Sequence, residues 1–328
     1  MVISKSYEFD IVFSDLCNLS CPFCYSSSRR ISSENMETLR KNIDVTKLIE
    51  SARIFCHILK RSGDFENSTF GFTGGEPAIF PLQVIDEVFS VFKSHFPSAR
   101  FTFTTNGTFL NSYLLKWLSE RDISLSISLD PYFDNYNVEF LIEKLRLLES
   151  CGIYHNVQVH LILKRGVNLN LMFNILDRFG FLKADLSLFI PSGRGRKYYN
   201  NLVLYEKEIT DLVKQILDSK YVDRFSSLLD LISVIKKSLY IDYHNHIWGV
   251  CWRKYRLNLD SGIIVNPEDC VSGFVLVAEN LTVYEIDFYL RKSEIIKKSY
   301  DSFCVDCEFF WFCRGGCLLY SEDRRFSC

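Results

Sequence analysis

No stretch of the chain is apolar for long enough to cross a membrane, and the first ten residues, Met1 to Asp10, lack the apolar core of a signal peptide. These absences predict a cytoplasmic location and no membrane partner. A surplus of one charge is also missing: 38 Lys and Arg stand against 40 Asp and Glu, a formal net charge of -2. So balanced a chain carries no electrostatic footprint for nucleic acid or for an anionic lipid surface. Neither internal repeats nor low-complexity tracts occur, which excludes a repeat architecture. What remains is a chain of 328 residues, 48% hydrophobic, long enough for one large domain and a smaller one.

Cysteine, by contrast, is abundant. A reducing compartment does not maintain structural disulfides, so twelve cysteines need another explanation. Their distribution supplies one. Three fall in the first 24 residues and seven between Cys251 and Cys328, leaving Cys56 and Cys151 as core candidates. Clustering at both ends is a pattern of metal sites.

Between those ends, short apolar strands alternate with amphipathic helical stretches. The strands are expected at Phe9 to Phe13, Thr69 to Thr73, Phe101 to Thr104, Ser124 to Leu129, Val157 to Leu163 and Leu186 to Ile190. Helices are expected at Leu39 to Leu59, Leu82 to Phe96, Leu110 to Ser119, Val138 to Cys151 and Leu169 to Phe179. Six β/α units imply an α/β fold with a parallel sheet, a partial (β/α)6 TIM-type barrel whose ligand chemistry sits on the loops after the strand C-terminal ends. The turn-rich basic segment Pro191 to Lys197 is expected to be a solvated loop with no function. Two helical stretches, Glu206 to Leu217 and Phe225 to Leu239, follow it. The predicted domains are 1–195, a helical bridge at 196–245, and a Cys-rich C-terminal domain at 246–328.

The first cysteines, Cys17, Cys21 and Cys24, form a Cys-x3-Cys-x2-Cys array in a loop that follows an apolar strand. Three thiolates on a 4Fe-4S cube leave one iron open to chelate a substrate or cofactor. Zinc knuckles use similar spacings, but no His or Cys lies between Cys24 and Cys56 to close a local tetrahedron. This array, with aromatic Phe23 just before the third cysteine, resembles the signature of the radical S-adenosylmethionine (radical SAM) superfamily.

The resemblance extends downstream. Gly74-Gly75-Glu76-Pro77 follows the second strand, and in this superfamily such a stretch contacts the methionyl amine of SAM, a role implied for Gly74, Gly75 and Glu76. After the third strand stands Asn106, and after the fourth Ser128-Leu129-Asp130, placed to meet the ribose and the methionyl carboxylate. Turn capping is the ordinary use of such residues. The activity implied is reductive cleavage of SAM to a 5'-deoxyadenosyl radical, which takes a hydrogen from substrate.

Near the C-terminus, Cys304, Cys307, Cys313 and Cys317 have the spacing Cys-x2-Cys-x5-Cys-x3-Cys, and Cys328 ends the sequence. A zinc ribbon is one reading of it. The pattern also resembles the SPASM extension of peptide- and protein-modifying radical SAM enzymes, which carries two auxiliary 4Fe-4S clusters. The resemblance implies Cys304, Cys307, Cys313 and Cys328 on one cluster and Cys251, Cys270 and Cys317 on the other. The family pattern expects a cysteine where Pro267 stands, and Cys270 comes three residues late.

Together these features imply a maturase of SPASM type, related to the anaerobic sulfatase-maturing enzymes, with SAM and three 4Fe-4S clusters as cofactors. Its partners would be a peptide or protein substrate and a reducing donor such as flavodoxin or ferredoxin. The expected product is a thioether or a carbon-carbon crosslink. Formylglycine-type oxidation, epimerisation and dehydrogenation of a small-molecule alcohol are the alternatives. The sulfatase-maturing branch is expected to have an Asp after the second auxiliary cysteine, whereas Val271 follows Cys270 and Asp269 precedes it.

Overall fold

The computed structural model describes residues 8–24, 29–62, 65–130, 137–189, 193–202, 204, 206–225, 254–259, 263–265 and 276–277. The chain begins with β1 (Glu8–Val12) and a short parallel ribbon, β2 (Leu16–Cys17) with β3 (Arg29–Arg30), that brackets the first cysteine loop. Helices α1 (Ser33–Asn42) and α2 (Val45–Ser62) lead to β4 (Thr69–Thr73). Strands and helices then alternate: α3 (Leu82–His95), β5 (Arg100–Thr105), α4 (Ser112–Glu120), β6 (Ile123–Ser128), α5 (Val138–Ser150), β7 (Val157–Leu163), α6 (Leu169–Arg178) and β8 (Lys183–Leu188).

Strands β1, β4, β5, β6, β7 and β8 lie side by side in chain order, each parallel to the next. An order without reversal is that of a partial barrel, because right-handed crossovers that always step the same way put every helix on one face. Phe9, Phe70, Phe101 and Phe103 are buried on the helix-covered face, where Phe9 stacks on Phe70 with ring centroids 5.0 Å apart and Phe70 on Phe101 at 5.8 Å. The opposite face is polar. Thr102 and Ser124, Thr104 and Ser126, and Ser128 and His160 are neighbours in register there, with Asp185 beside His160. This face is the barrel's lumen.

Two departures from the expected elements have local causes. The helix predicted over Leu39 to Leu59 is two helices, because Asp44 Oδ1 accepts from Lys47 N–H at 2.9 Å and caps a new start. The last barrel strand begins at Lys183 rather than Leu186: Lys183, Ala184 and Asp185 are poor strand formers alone, but the ladder to Gln158, Val159 and His160 recruits them. After α7 (Tyr199–Leu202) and α8 (Glu206–Leu217), the helix expected over Phe225 to Leu239 lies, beyond Phe225, outside the described residues.

The C-terminal region returns to the sheet. β9 (Lys254–Asn258) pairs in parallel with β1, and β10 (Ile263–Val265) and β11 (Leu276–Val277) add antiparallel strands beyond it. Within the range expected for the C-terminal domain, these three strands extend the barrel's first edge. Cys251, Cys270, Cys304, Cys307, Cys313, Cys317 and Cys328 lie outside the described residues.

Truncating the aromatic ladder tests this packing. Phe70→Ala, at a fully buried position, is expected to lower unfolding free energy by about 3–5 kcal/mol in urea titration, whereas Thr102→Ala on the lumen face changes it by under about 1 kcal/mol.

Candidate active site

β1 ends at Val12 and the chain passes into the loop that carries Cys17, Cys21 and Cys24. Few backbone hydrogen bonds hold this loop from within: Cys24 N–H donates to the Cys21 carbonyl at 3.2 Å, and Ile31 N–H to the Cys17 carbonyl at 2.9 Å. Cys17 is buried, and Cys21 and Cys24 are half-buried. Burial pushes the Cys17 thiol up to about 11 and the Cys21 thiol up to about 12, with the neighbouring thiols adding to both. Iron held by these sulfurs would have to displace their protons, so its uptake would be favoured by rising pH. Among the described residues, no three His, Cys, Asp or Glu side chains group closely enough to hold a single metal ion. A four-iron cube makes a different demand, since each thiolate takes its own iron.

The Gly-Gly-Glu-Pro turn at the end of β4 lies directly on this loop. Gly75 N–H donates to the Ser14 carbonyl at 3.3 Å and Glu76 N–H to the Leu16 carbonyl at 2.8 Å. A side chain at position 75 would place its Cβ 1.9 Å from the Leu16 carbonyl oxygen. Gly74 adopts φ 118°, in the region that favours glycine. The close approach that glycine permits at position 75 is thus to the cysteine loop's own backbone.

Glu76 is 2% exposed, and among the described residues its hydrogen-bond partners are neutral donors. Its Oε1 accepts from Thr105 Oγ1 at 2.7 Å and from Ala78 N–H at 3.0 Å, and its Oε2 from Asn106 N–H at 2.7 Å. Burial pushes its carboxyl up to about 7 although these donors pull it down. A buried carboxylate whose partners among the described residues are all uncharged is suited to a cationic ligand, which would supply the missing countercharge.

Asn106 joins Glu76 to the cysteines. Its Nδ2 donates to Asn18 Oδ1 at 2.9 Å and lies 3.8 Å from Cys17 Sγ, which also accepts from Leu19 N–H at 3.4 Å. Its Oδ1 accepts from Thr108 Oγ1 at 2.6 Å. Hydrogen bonds to a ligating sulfur are among the levers that set a cluster's potential.

Asp130 is placed differently. It is fully buried, with Oδ1 2.5 Å from Lys164 Nζ and Oδ2 accepting from Ile162 N–H at 2.8 Å. Burial pushes its carboxyl up and Lys164 pulls it back. Its charge is answered inside the protein, so this side chain ties the end of β6 to the end of β7. Lys164 also lies over the Phe23 ring, 4.9 Å from its centroid, which links the pair to the cysteine loop. Ser128, half-buried, ends β6 on the lumen face in register with His160, whose Nε2 is 2.5 Å from Ser187 Oγ.

One expectation is corrected outright. The basic segment after β8 was expected to be solvated and idle, yet Arg194 Nη1 donates to the Cys21 carbonyl at 3.0 Å and the buried Gly195 N–H to the Cys24 carbonyl at 3.3 Å. The barrel brings residues about 170 positions apart together, a contact that no local pattern encodes. Lys164 was also missed, although a charged residue directly after a buried strand was a visible signal. The donor set fits the implied groups: three thiols on one loop, and beside them a buried carboxyl group whose partners among the described residues include no cation.

The comparisons with known proteins agree with this geometry. No family model matches the chain. A cysteine-type anaerobic sulfatase-maturating enzyme of Clostridium perfringens is 23% identical over 349 residues, covering 95% of this chain and 88% of that protein. The enzyme of the same description from Clostridium novyi is 23% identical over 360 residues, 94% of this chain and 86% of its own length. Among solved structures, anSMEcpe with bound AdoMet superposes with TM-score 0.64 at 17% identity, over 96% of this chain and 89% of that one. The chain shares the fold of that enzyme. A further structure, anSMEcpe with bound AdoMet and Cp18Cys peptide, has TM-score 0.60 at 16% identity and covers 95% of this chain and 89% of that one.

Two measurements check the charge assignments. Lys164→Met leaves Asp130 buried without its cation and is expected to destabilise by about 3–5 kcal/mol, whereas Lys164→Met with Asp130→Asn recovers part of that loss. Glu76 has a folded pKa near 7 against an ordinary 4.5, so between those values the unfolded chain releases a proton that the folded chain keeps. Stability therefore falls as pH rises through that window and levels off above it. Urea titrations of the metal-free protein from pH 4 to 8, a range of about four units, are expected to show this slope in the native protein and its loss in Glu76→Gln.

Proposed function

We propose that the chain is a SPASM-type radical SAM enzyme that modifies a peptide or protein. The observation that carries this reading is a single hydrogen-bond network at the ends of β1, β4 and β5. It joins a three-thiol loop, through Asn106, to a buried carboxylate that has no cation beside it among the described residues. Cys17, Cys21 and Cys24 would hold a 4Fe-4S cluster, and Glu76 would accept the ammonium of SAM. Asn106 and Ser128 would border the cofactor, with Gly74 and Gly75 keeping the Glu76 turn against the cysteine loop. Asp130, also expected at the cofactor, would act through its pairing with Lys164. When bound, the cluster and SAM supply a carbon radical able to take a hydrogen from substrate. The polar lumen face would admit the substrate segment, and flavodoxin or ferredoxin would provide the electron.

Cys304, Cys307, Cys313 and Cys328 would hold one auxiliary cluster and Cys251, Cys270 and Cys317 the other, making three clusters. Two products compete. Similarity to sulfatase-maturating enzymes supports oxidation of a Cys or Ser side chain in the substrate. Val271 after Cys270, where that branch is expected to have an Asp, supports a thioether or a carbon-carbon crosslink instead.

Anaerobic incubation with SAM and dithionite tests the common step. The native protein is expected to release 5'-deoxyadenosine, and Cys17→Ala, Cys21→Ala and Cys24→Ala to release none. Glu76→Gln should assemble its clusters but bind SAM roughly ten- to a hundredfold more weakly, since a charge-assisted hydrogen bond contributes about 1.5–3 kcal/mol. A preparation with stoichiometric zinc, little iron and no 5'-deoxyadenosine would overturn the proposal. Mass spectrometry of a Cys-containing substrate peptide separates the products: oxidation alters one residue, and a thioether consumes the thiol and ties it to a second position.

A further inference from the structure

The cysteine loop is gripped from outside the site by the segment that follows β8. Arg194 Nη1 donates to the carbonyl of Cys21 at 3.0 Å, and Gly195 N–H donates to the carbonyl of Cys24 at 3.3 Å. Both acceptors belong to residues proposed as iron ligands. Arg194 is half-buried, and a guanidinium stays charged at any pH the folded protein experiences. Its hydrogen bond therefore brings a permanent positive charge to the Cys21 backbone.

Two consequences follow from this placement. The loop has little secondary structure of its own, so bonds from Arg194 and Gly195 fix the Cys21 to Cys24 turn, and with it the direction of two sulfurs. A cluster on this partly buried loop would also resist taking an electron, because added negative charge is less well solvated there than in water. Net charge and hydrogen bonding around a cluster set its reduction potential. A fixed cation at the loop offsets the penalty. Among the described residues, the buried Lys164 is already paired with Asp130.

We infer that Arg194 is a positioning residue that anchors the Cys21 to Cys24 turn and raises the reduction potential of the cluster held by Cys17, Cys21 and Cys24. The inference rests on the cluster reading above. The step it governs is the transfer of one electron from an external one-electron donor to that cluster, in which no bond is made or broken.

The test is a potentiometric titration followed by electron paramagnetic resonance on the anaerobically reconstituted full chain. The signal that changes on adding SAM identifies this cluster among the others. In Arg194→Gln the reduction equilibrium of that signal is expected to be about tenfold less favourable, a shift of about 59 mV for a one-electron couple. Arg194→Lys, which keeps the charge, is expected to remain within about threefold of the native value. A native midpoint in Arg194→Gln with its iron content intact would overturn the inference. If Arg194→Gln fails to load iron, Arg194→Lys decides: a native-like potential supports the role, and a tenfold loss overturns it. A native protein that yields no SAM-sensitive iron-sulfur signal would remove the cluster reading itself, and this inference with it.

Discussion

Between the ends of β1 and β4, two loop backbones run so close together that Glu76 N–H donates to the Leu16 carbonyl at 2.8 Å and no side chain fits at position 75. The rest of the site depends on this approach. Beyond β2, residues 18–24 of the loop that carries Cys17, Cys21 and Cys24 lie in neither a helix nor a strand. Such a loop needs its order from neighbours. Gly75 supplies backbone contact on one side, Arg194 and Gly195 grip the carbonyls on another, and Lys164 lies over Phe23. Each of these contacts comes from the C-terminal end of a different barrel strand, where the fold gathers loops that are distant in sequence.

Charge is distributed within this arrangement in a way that separates two similar residues. Glu76 and Asp130 are both fully buried carboxylates at strand ends. Lys164 answers Asp130, which makes it a strut between β6 and β7. Among the described residues Glu76 has only neutral donors, so its burial pushes its carboxyl up to about 7 and suits it to a ligand's cation. The same type of side chain, after the ends of β4 and β6, thus has different chemistry because the end of β7 supplies Asp130 with a lysine, whereas the described partners of Glu76 are uncharged.

Much of the barrel was legible because its strands announce themselves. The spans Thr69 to Thr73 and Val157 to Leu163 were read as they stand, since β-branched and aromatic residues there alternate between a helix-covered and a lumen face. The misreadings arose where local propensity and tertiary context disagree. Lys183 to Asp185 look unlike a strand until β7 offers them a ladder, and Asp44 divides a run that is helical in periodicity on both sides. The cysteine array and the Gly-Gly-Glu-Pro turn were legible for a different reason: iron-sulfur ligation and a close backbone approach each admit few residue types, so spacing alone carries information.

The amino-acid sequence by itself therefore determined the succession of β/α units, the three-thiol loop and the glycine turn, because each is written in residues adjacent along the chain. Only the tertiary structure decided which buried carboxylate lacks a cation, that Asn106 reaches the Cys17 sulfur, and that Arg194 grips a loop 173 residues away. Those outcomes follow from which strand ends lie side by side in the sheet. Hydrogen bonds and ion pairs act over a few ångströms, and no distance along the chain foretells that proximity.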